Sequence, residues 1–348
     1  MRTSFIASLR YLVAVIAGLV VSSAALAAKQ SVWDQIYLNG PIDVTLADGS
    51  EKIVEPSCSG GPTMTDAGPA PTDAQFSFFV QAGNPNKLLV IFDGGGACWD
   101  GLTCIGSPLA GSSTYSQIVD ETPEGLAESE GIWNTGRPDN IYKNYTKVFI
   151  PFCTGDVHWG SQDTTYTLPL GPGVNLPWTI RHRGADNLIA VLDWLKRNGR
   201  SNYRVDLGRV RDLTVTGLSA GAYGTLVGFA YFAEETPRAR VNAIADAGIG
   251  VLTDSFYENT IYNADGTAVW GVEENLPSWV PGFSTMLQTA AAQPIMLVPL
   301  AFQSLSMWRP DGHYASITAD LDVVQVAFYA LMKGLTAPGP TEFGEWYA

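Results

Sequence analysis

The chain has 348 residues, of which 46% are hydrophobic and 16% are charged, so it is long enough to bury one large core. Its formal net charge of −14 at pH 7 argues against nucleic acid as a partner, because phosphate binding requires basic surfaces. Its three histidines and four cysteines are few for a metal centre, and the cysteine spacings are not those of a zinc site, so we expect no metal and no cofactor.

Residues 1–27 have the layout of a secretory signal peptide. Arg2 and Arg10 are followed by an uncharged apolar run, and a stretch of small residues ends at Ala27. The apolar run is too short for a comfortable membrane span. We expect cleavage after Ala27, secretion or export to the periplasm without stable membrane insertion, and a single monomeric domain over residues 28–348.

Strand and helix patterns alternate along the rest of the chain. Residues 28–75 are rich in Gly, Pro, Asp and Ser and predict an irregular surface lead-in with a hairpin around Asp48 and Gly49. The later hydrophobic patterns predict strands at Phe76–Gln81, Lys87–Phe92, Lys147–Pro151, Val241–Asp246 and Tyr314–Thr318, and helices at Arg183–Asn198 and Val323–Lys333. This alternation predicts an α/β fold with a mostly parallel, doubly wound sheet and helices on both faces.

The stretch Leu213–Ala222 reads as a strand that runs into a serine at a sharp turn. It contains Gly217, Ser219 and Gly221 in the pattern G-x-S-x-G, and an apolar helical run follows from Ala220. In a nucleophile elbow the glycines let the strand and the helix close around a strained serine. A glycine-flanked serine can also be a plain turn residue, but the strand before it and the helix after it favour the elbow.

Tandem glycines follow the Lys87–Phe92 strand. Backbone amides at such a position point into a site with no side chain in the way. In α/β-hydrolases this loop and the residue after the nucleophile form the oxyanion hole, which here means the amides of Gly95, Gly96 and Ala220. The alternative is a flexible surface loop.

Four cysteines in an exported chain can form two disulfides. Cys98 and Cys104 are close in sequence and could pair locally, which would leave Cys58 with Cys153. The alternative is free thiols. Residues 251–290 form an insertion with several aromatic side chains, which we interpret as a lid over the site.

Five blocks, taken together, resemble the pectin acetylesterase and Notum family in its bacterial form. They are Phe92–Trp99, Pro151–His158, Gly217–Gly221, Ala245–Gly248 and Asp322–Gln325. The resemblance implies an α/β-hydrolase fold, a metal-free serine carboxylesterase and a triad in the order Ser, Asp, His. Carried over by position, Ser219 is the nucleophile and Asp322 is the acid. Asp246, which also ends a strand, is the alternative acid.

The histidine departs from the family pattern. Relatives carry it several tens of residues after the acid, whereas here His313 is the last histidine and stands before the strand that Asp322 follows. His158, with Asp156 and Trp159 in the same loop, is expected to be a pocket wall or a substitute base. We expect His182 to be a capping or surface residue.

Three explanations fit this departure. The chain could lack a C-terminal segment that carries the base, it could use His158 in an altered triad, or it could be a binding protein that has lost catalysis. We favour the first. The expected substrate is a small-molecule or polysaccharide ester with a short acyl group, most simply acetyl.

Overall fold

The computed structural model describes residues 32–120, 122–123 and 131–347, and the predicted signal peptide lies outside these residues. The strands of the described part are β1 (Trp33–Leu38), β2 (Ile42–Thr45), β3 (Glu51–Val54), β4 (Pro62–Thr65), β5 (Gly68–Pro71), β6 (Phe76–Gln81), β7 (Asn84–Phe92), β8 (Tyr145–Ile150), β9 (Gln162–Gly171), β10 (Val174–His182), β11 (Asp212–Leu218), β12 (Arg240–Asp246) and β13 (His313–Ile317). The longer helices are α1 (Gly184–Tyr203), α2 (Ala220–Glu235), α3 (Phe283–Ala290), α4 (Leu297–Trp308), α5 (Val323–Met332) and α6 (Pro340–Tyr347).

Seven strands form one sheet in the order β1-β6-β8-β7-β11-β12-β13. The pairs from β8 to β13 are parallel, whereas β1 and β6 pair antiparallel at one edge. The carboxyl ends of the parallel strands therefore meet along one edge of the sheet, which is where α/β proteins place their ligands. The predicted α/β-hydrolase-like, mostly parallel fold is confirmed.

The alternation of side chains along β7 explains how this strand is buried on both faces. Leu88, Val90 and Phe92 belong to the main core, where they meet residues of α1 and α2. Leu89 and Ile91 point to the opposite face and pack in a second cluster. Successive side chains of a strand point to opposite faces of the sheet. An uninterrupted apolar run such as Leu88–Phe92 therefore lies in a sheet that is covered on both faces.

The lead-in and the segment after β8 differ in part from the sequence expectation. The lead-in is not wholly irregular, because Trp33–Leu38 pairs with β6 as the edge strand of the main sheet. The hairpin around Asp48 is present as β2 and β3, and Asp48 accepts a hydrogen bond from the amide of Ser50 in its turn. The hairpin of β9 and β10 had no counterpart in the sequence analysis.

None of the helices in the described residues combines the length and the apolar character that a membrane span requires.

Candidate active site

Ser219 stands alone between β11 and α2 in a strained conformation. Its φ of 55° and ψ of −119° lie in a region that non-glycine residues rarely adopt. A Cβ atom on Gly217 would lie 2.1 Å from the carbonyl oxygen of Gly221, and one on Gly221 would lie 2.1 Å from the carbonyl oxygen of Phe92. Only glycine fits at either position, which is the reason that a nucleophile elbow needs both.

The loop after β7 packs directly against this elbow. A Cβ atom on Gly94 would lie 3.5 Å from the Cβ of Ser219. Gly96 bridges to Tyr115, and the hydrogen bonds of that bridge use the carbonyl of Gly95 and the amide of Ala97, so the bridge leaves the Gly96 amide free. Ala220 is the first residue of α2, so its amide has no partner within the helix.

Both expected disulfides are present, and each fixes a loop at this edge. Cys98 pairs with Cys104 and closes the loop that follows the tandem glycines. Cys58 pairs with Cys153, which joins the N-terminal segment to the loop after β8. The sulfur atoms of Cys98 and Cys104 lie near the ring of His182, but a disulfide offers no thiolate to a metal.

Asp156 is fully buried and holds the loop after β8 in shape. One carboxylate oxygen accepts hydrogen bonds from the hydroxyl of Thr154 and the amide of His158, and the other accepts one from the amide of Gly184 at the start of α1. Burial raises the pKa of Asp156 to about 6, although these hydrogen bonds act in the opposite direction. Asp156 does not line the cavity beside Ser219.

His158 is buried in the core and does not line the cavity beside Ser219. Its ring lies between those of Phe92 and Phe152, at centroid distances of 5.1 and 5.0 Å, and its Nε2 lies 2.9 Å from the carbonyl oxygen of Asp93. Because a carbonyl oxygen only accepts, the ring proton is on Nε2. Burial lowers the pKa of His158 to about 4, so the ring is neutral at pH 7.

The other two histidines do not line this cavity either. His182 was expected at a helix cap or on the surface, but it is fully buried, with its ring nitrogens 2.9 Å from the carbonyl oxygen of Thr154 and 2.8 Å from the hydroxyl of Tyr166. His313 begins β13, at the opposite edge of the sheet from Ser219. None of the chain's three histidines, all of which are described, lines the cavity beside Ser219.

A narrow cavity of about 50 Å³ opens beside Ser219. Trp159, Gly96 and Ala220 lie in its wall, whereas Gly95 does not. The 251–290 insertion supplies four apolar side chains to the wall, and α4 and α5 supply three more: Leu252, Phe256, Ile261, Trp270, Leu297, Phe328 and Met332. The insertion therefore forms part of the cavity, while its function as a lid stays a prediction.

Asp322 begins α5 and caps it. Its Oδ1 accepts hydrogen bonds from the amides of Val324 and Gln325 at 3.1 and 3.0 Å. Tyr223 lies in α2, four residues after Ser219. Burial is the main cause of its raised pKa, and the negative charge of Asp322 raises that pKa further. The alternative acid, Asp246, ends β12 and accepts the hydrogen bond of the Ser219 amide through its main-chain carbonyl.

Two polar residues of the cavity wall were not identified from the sequence. Tyr223 and Gln325 supply polar groups to a wall that is otherwise mostly apolar. Tyr223 follows Ser219 by four residues, and Gln325 follows Asp322 by three. Because helical residues three or four apart share a face, this spacing was the signal that could have indicated both.

The sheet order, the strained serine between β11 and α2 and the glycine loop beside it define an α/β-hydrolase. The sequence model of the pectinacetylesterase family matches residues 75–278, which is more than half of the chain, and the chain belongs to this family. Membership places it among the carboxylic ester hydrolases, with an ester of a small molecule or a carbohydrate as substrate.

Two solved structures that resemble the chain are crystal forms of the Wnt deacylase Notum from Drosophila. Crystal form II has 16% sequence identity and a TM-score of 0.46, and the match covers 84% of this chain and 78% of that chain. Crystal form I has 16% identity and a TM-score of 0.45, with 89% and 78% covered. No curated protein sequence matched the chain.

Proposed function

We propose that this protein is an exported serine carboxylesterase that removes short acyl groups, most simply acetyl, from a carbohydrate or a related ester. The observation that carries the proposal is the strained Ser219 at the mouth of a narrow apolar cavity. The small and mostly apolar cavity beside Ser219, of about 50 Å³, favours a short acyl group. The predicted signal peptide and the two disulfides support export.

In the proposed mechanism the hydroxyl oxygen of Ser219 attacks the ester carbonyl while a base takes its proton. The negative charge that develops on the carbonyl oxygen is stabilised by the amides of Gly95, Gly96 and Ala220, and the N-terminus of α2 adds to this stabilisation. The base returns the proton to the departing alcohol. Water then hydrolyses the acyl-enzyme and releases the acid.

None of the three histidines lines the cavity beside Ser219, so the mechanism assigns the base to no residue of the described chain. His158 donates its Nε2 proton to a carbonyl oxygen, and its low pKa makes it a poor proton acceptor at neutral pH. This observation favours a second candidate, a binding protein with the same cavity and little or no turnover. The two candidates differ in whether Ser219 is activated.

Covalent labelling with a fluorophosphonate separates these candidates. The purified chain and its Ser219→Ala variant are treated with the probe, and the products are analysed by intact mass and peptide mapping. Labelling at Ser219 that is absent from the variant supports the esterase. Failure to label a folded chain supports the binding protein, unless a longer polypeptide that carries a further histidine is labelled at the same serine.

A further inference from the structure

The hydroxyl of Tyr223 connects three elements around the cavity. It accepts a hydrogen bond from the amide of Gly250, in the loop after β12, at 3.1 Å. It donates one to Oε1 of Gln325, in the first turn of α5, at 3.3 Å. Since Tyr223 itself lies in the first turns of α2, this hydroxyl ties the helix that follows the nucleophile to the helix that follows Asp322.

These contacts fix how the Gln325 side chain is turned. A tyrosine hydroxyl has one hydrogen to donate, and its raised pKa keeps that hydrogen in place at neutral pH. Donation to Oε1 leaves the two hydrogens of Nε2 available. In the described part of the chain, no protein group accepts a hydrogen bond from this nitrogen.

The two indole nitrogens of the wall already have protein partners. Nε1 of Trp159 donates to the carbonyl oxygen of Tyr223 at 2.7 Å, and Nε1 of Trp270 donates to the carbonyl oxygen of Cys98 at 3.0 Å. Gln325 lines the same cavity as Ser219. In apolar pockets a small number of fixed polar groups determine how a ligand is oriented.

We propose that Gln325 is a substrate-binding residue whose side-chain amide, oriented by Tyr223, donates a hydrogen bond from Nε2 to an oxygen atom of the ester bound beside Ser219. The ligand class is an ester with oxygen atoms close to the scissile bond, as in an acylated polyol. Tyr223 acts through Gln325 and is a positioning residue. This inference rests on the proposed function, but it concerns binding and not the chemical step.

Binding is therefore measured without turnover, in the full chain carrying Ser219→Ala. The probe is glyceryl triacetate, an acylated polyol, and its titration is followed by the side-chain amide resonances of ¹⁵N-labelled protein. Gln325→Met, of similar length but without the amide, and Tyr223→Phe are introduced singly and together. Tyr231→Phe is the matched control, since Tyr231 lies in the same helix and its hydroxyl donates to the carbonyl oxygen of Asn275, away from the cavity.

We expect Gln325→Met to raise the Kd by about 3- to 10-fold, the range for one lost hydrogen bond. Tyr223→Phe should raise it less, and adding it to Gln325→Met should change nothing further, because Tyr223 acts only through the glutamine. Tyr231→Phe should bind as the parent does. Absence of saturable binding, or an unchanged Kd in Gln325→Met, would overturn the proposal, and additive effects would overturn the role of Tyr223. Binding that follows the expected pattern in a chain that neither labels nor hydrolyses would contradict only the esterase.

Discussion

The amide of Ser219 donates a hydrogen bond of 2.8 Å to the carbonyl oxygen of Asp246, so the elbow is fastened to the end of the neighbouring strand. This contact uses the main chain of Asp246 and makes no demand on its carboxylate. Asp322, by contrast, uses its carboxylate to cap α5. Asp246 therefore contacts the nucleophile through its main chain, whereas the carboxylate of Asp322 is engaged at the start of α5.

Replacing each acid by asparagine should distinguish them. If Ser219 is labelled and Asp322 is the acid of its triad, Asp322→Asn should slow the labelling by up to about 10⁴-fold, because the carboxylate no longer orients the base. Asparagine is as good a helix cap as aspartate, so α5 should stay intact. Asp246→Asn should label within a few-fold of the parent. Labelling rates that change in the reverse order would assign the role to Asp246.

The two disulfides should contribute differently to stability and to the site. Cys58 and Cys153 are separated by 95 residues, and Cys98 and Cys104 by 6. Chain entropy then predicts losses of about 4–5 kcal/mol and about 2 kcal/mol in the free energy of unfolding when each pair is replaced by alanine. Urea unfolding measures both values.

The short disulfide closes the loop beside the oxyanion amides, so its removal should also slow labelling of Ser219. The long disulfide, compared at a temperature where both variants are folded, serves as the control. A labelling rate that falls only in step with stability would show that the short disulfide has no separate role at the site.

Phe328 should limit the length of the acyl group. Its ring tip would lie 3.1 Å from a Cβ atom on Gly96, so it stands at the cavity wall beside the oxyanion loop. Phe328→Ala should raise kcat/KM for p-nitrophenyl butanoate relative to the acetate by about 10-fold or more, since each methylene is worth roughly that factor in an apolar pocket. Tyr329→Ala is the control, because Tyr329 contacts Glu345 instead. An unchanged ratio would place the acyl group elsewhere.

Acid should destabilise the fold at the buried histidines. Burial lowers the pKa of His158 to about 4 and that of His182 to about 3, below the ordinary value of 6.5. Between about pH 6.5 and pH 4 the unfolded chain therefore binds two protons that the folded chain does not, and stability falls as the pH falls. Asp156 acts in the opposite direction between about pH 6 and pH 4, because its raised pKa makes the folded chain bind one proton more.

The net difference for these three groups is about one proton, or roughly 1.4 kcal/mol per pH unit over that window. Urea unfolding at pH 7, 6 and 5 should show this decline. Asp156→Asn, if it folds, should show a steeper one, because the opposing contribution is gone. Stability that rises on acidification would contradict the assignment of buried neutral histidines.

The sequence was most informative where local backbone requirements and burial agree. The elbow at Ser219 and the glycines after β7 were predictable because tight backbone packing admits only glycine there. The central strands were predictable because apolar residues occupy both faces. The β9 and β10 hairpin was missed because it carries polar residues and two prolines, Pro169 and Pro177, which argue against a strand.

The position of His158 could not be predicted in this way. Val157 and His158 both have positive φ, of 50° and 67°, and this pair of conformations turns the histidine toward the core. A β-branched residue such as Val157 rarely adopts that region, so the local sequence does not indicate the turn. The carboxylate of Asp156 accepts a hydrogen bond from the His158 amide within this turn, but that carboxylate is itself fixed by the amide of Gly184, a long-range contact.

The turn at Val157–Trp159 contributes side chains both to the cavity and to the core. Val157 and Trp159 face the cavity, and His158, between them, faces the sheet interior and is bonded to the first residue of the glycine loop. A substitution at Val157 or Trp159 will change main-chain angles that also position His158, and a substitution at His158 will change the cavity wall in the same way. The cavity can therefore be enlarged for longer acyl groups more readily at Phe328 and Met332, because these residues lie in the regular helix α5 and not in the strained turn of Val157 and His158.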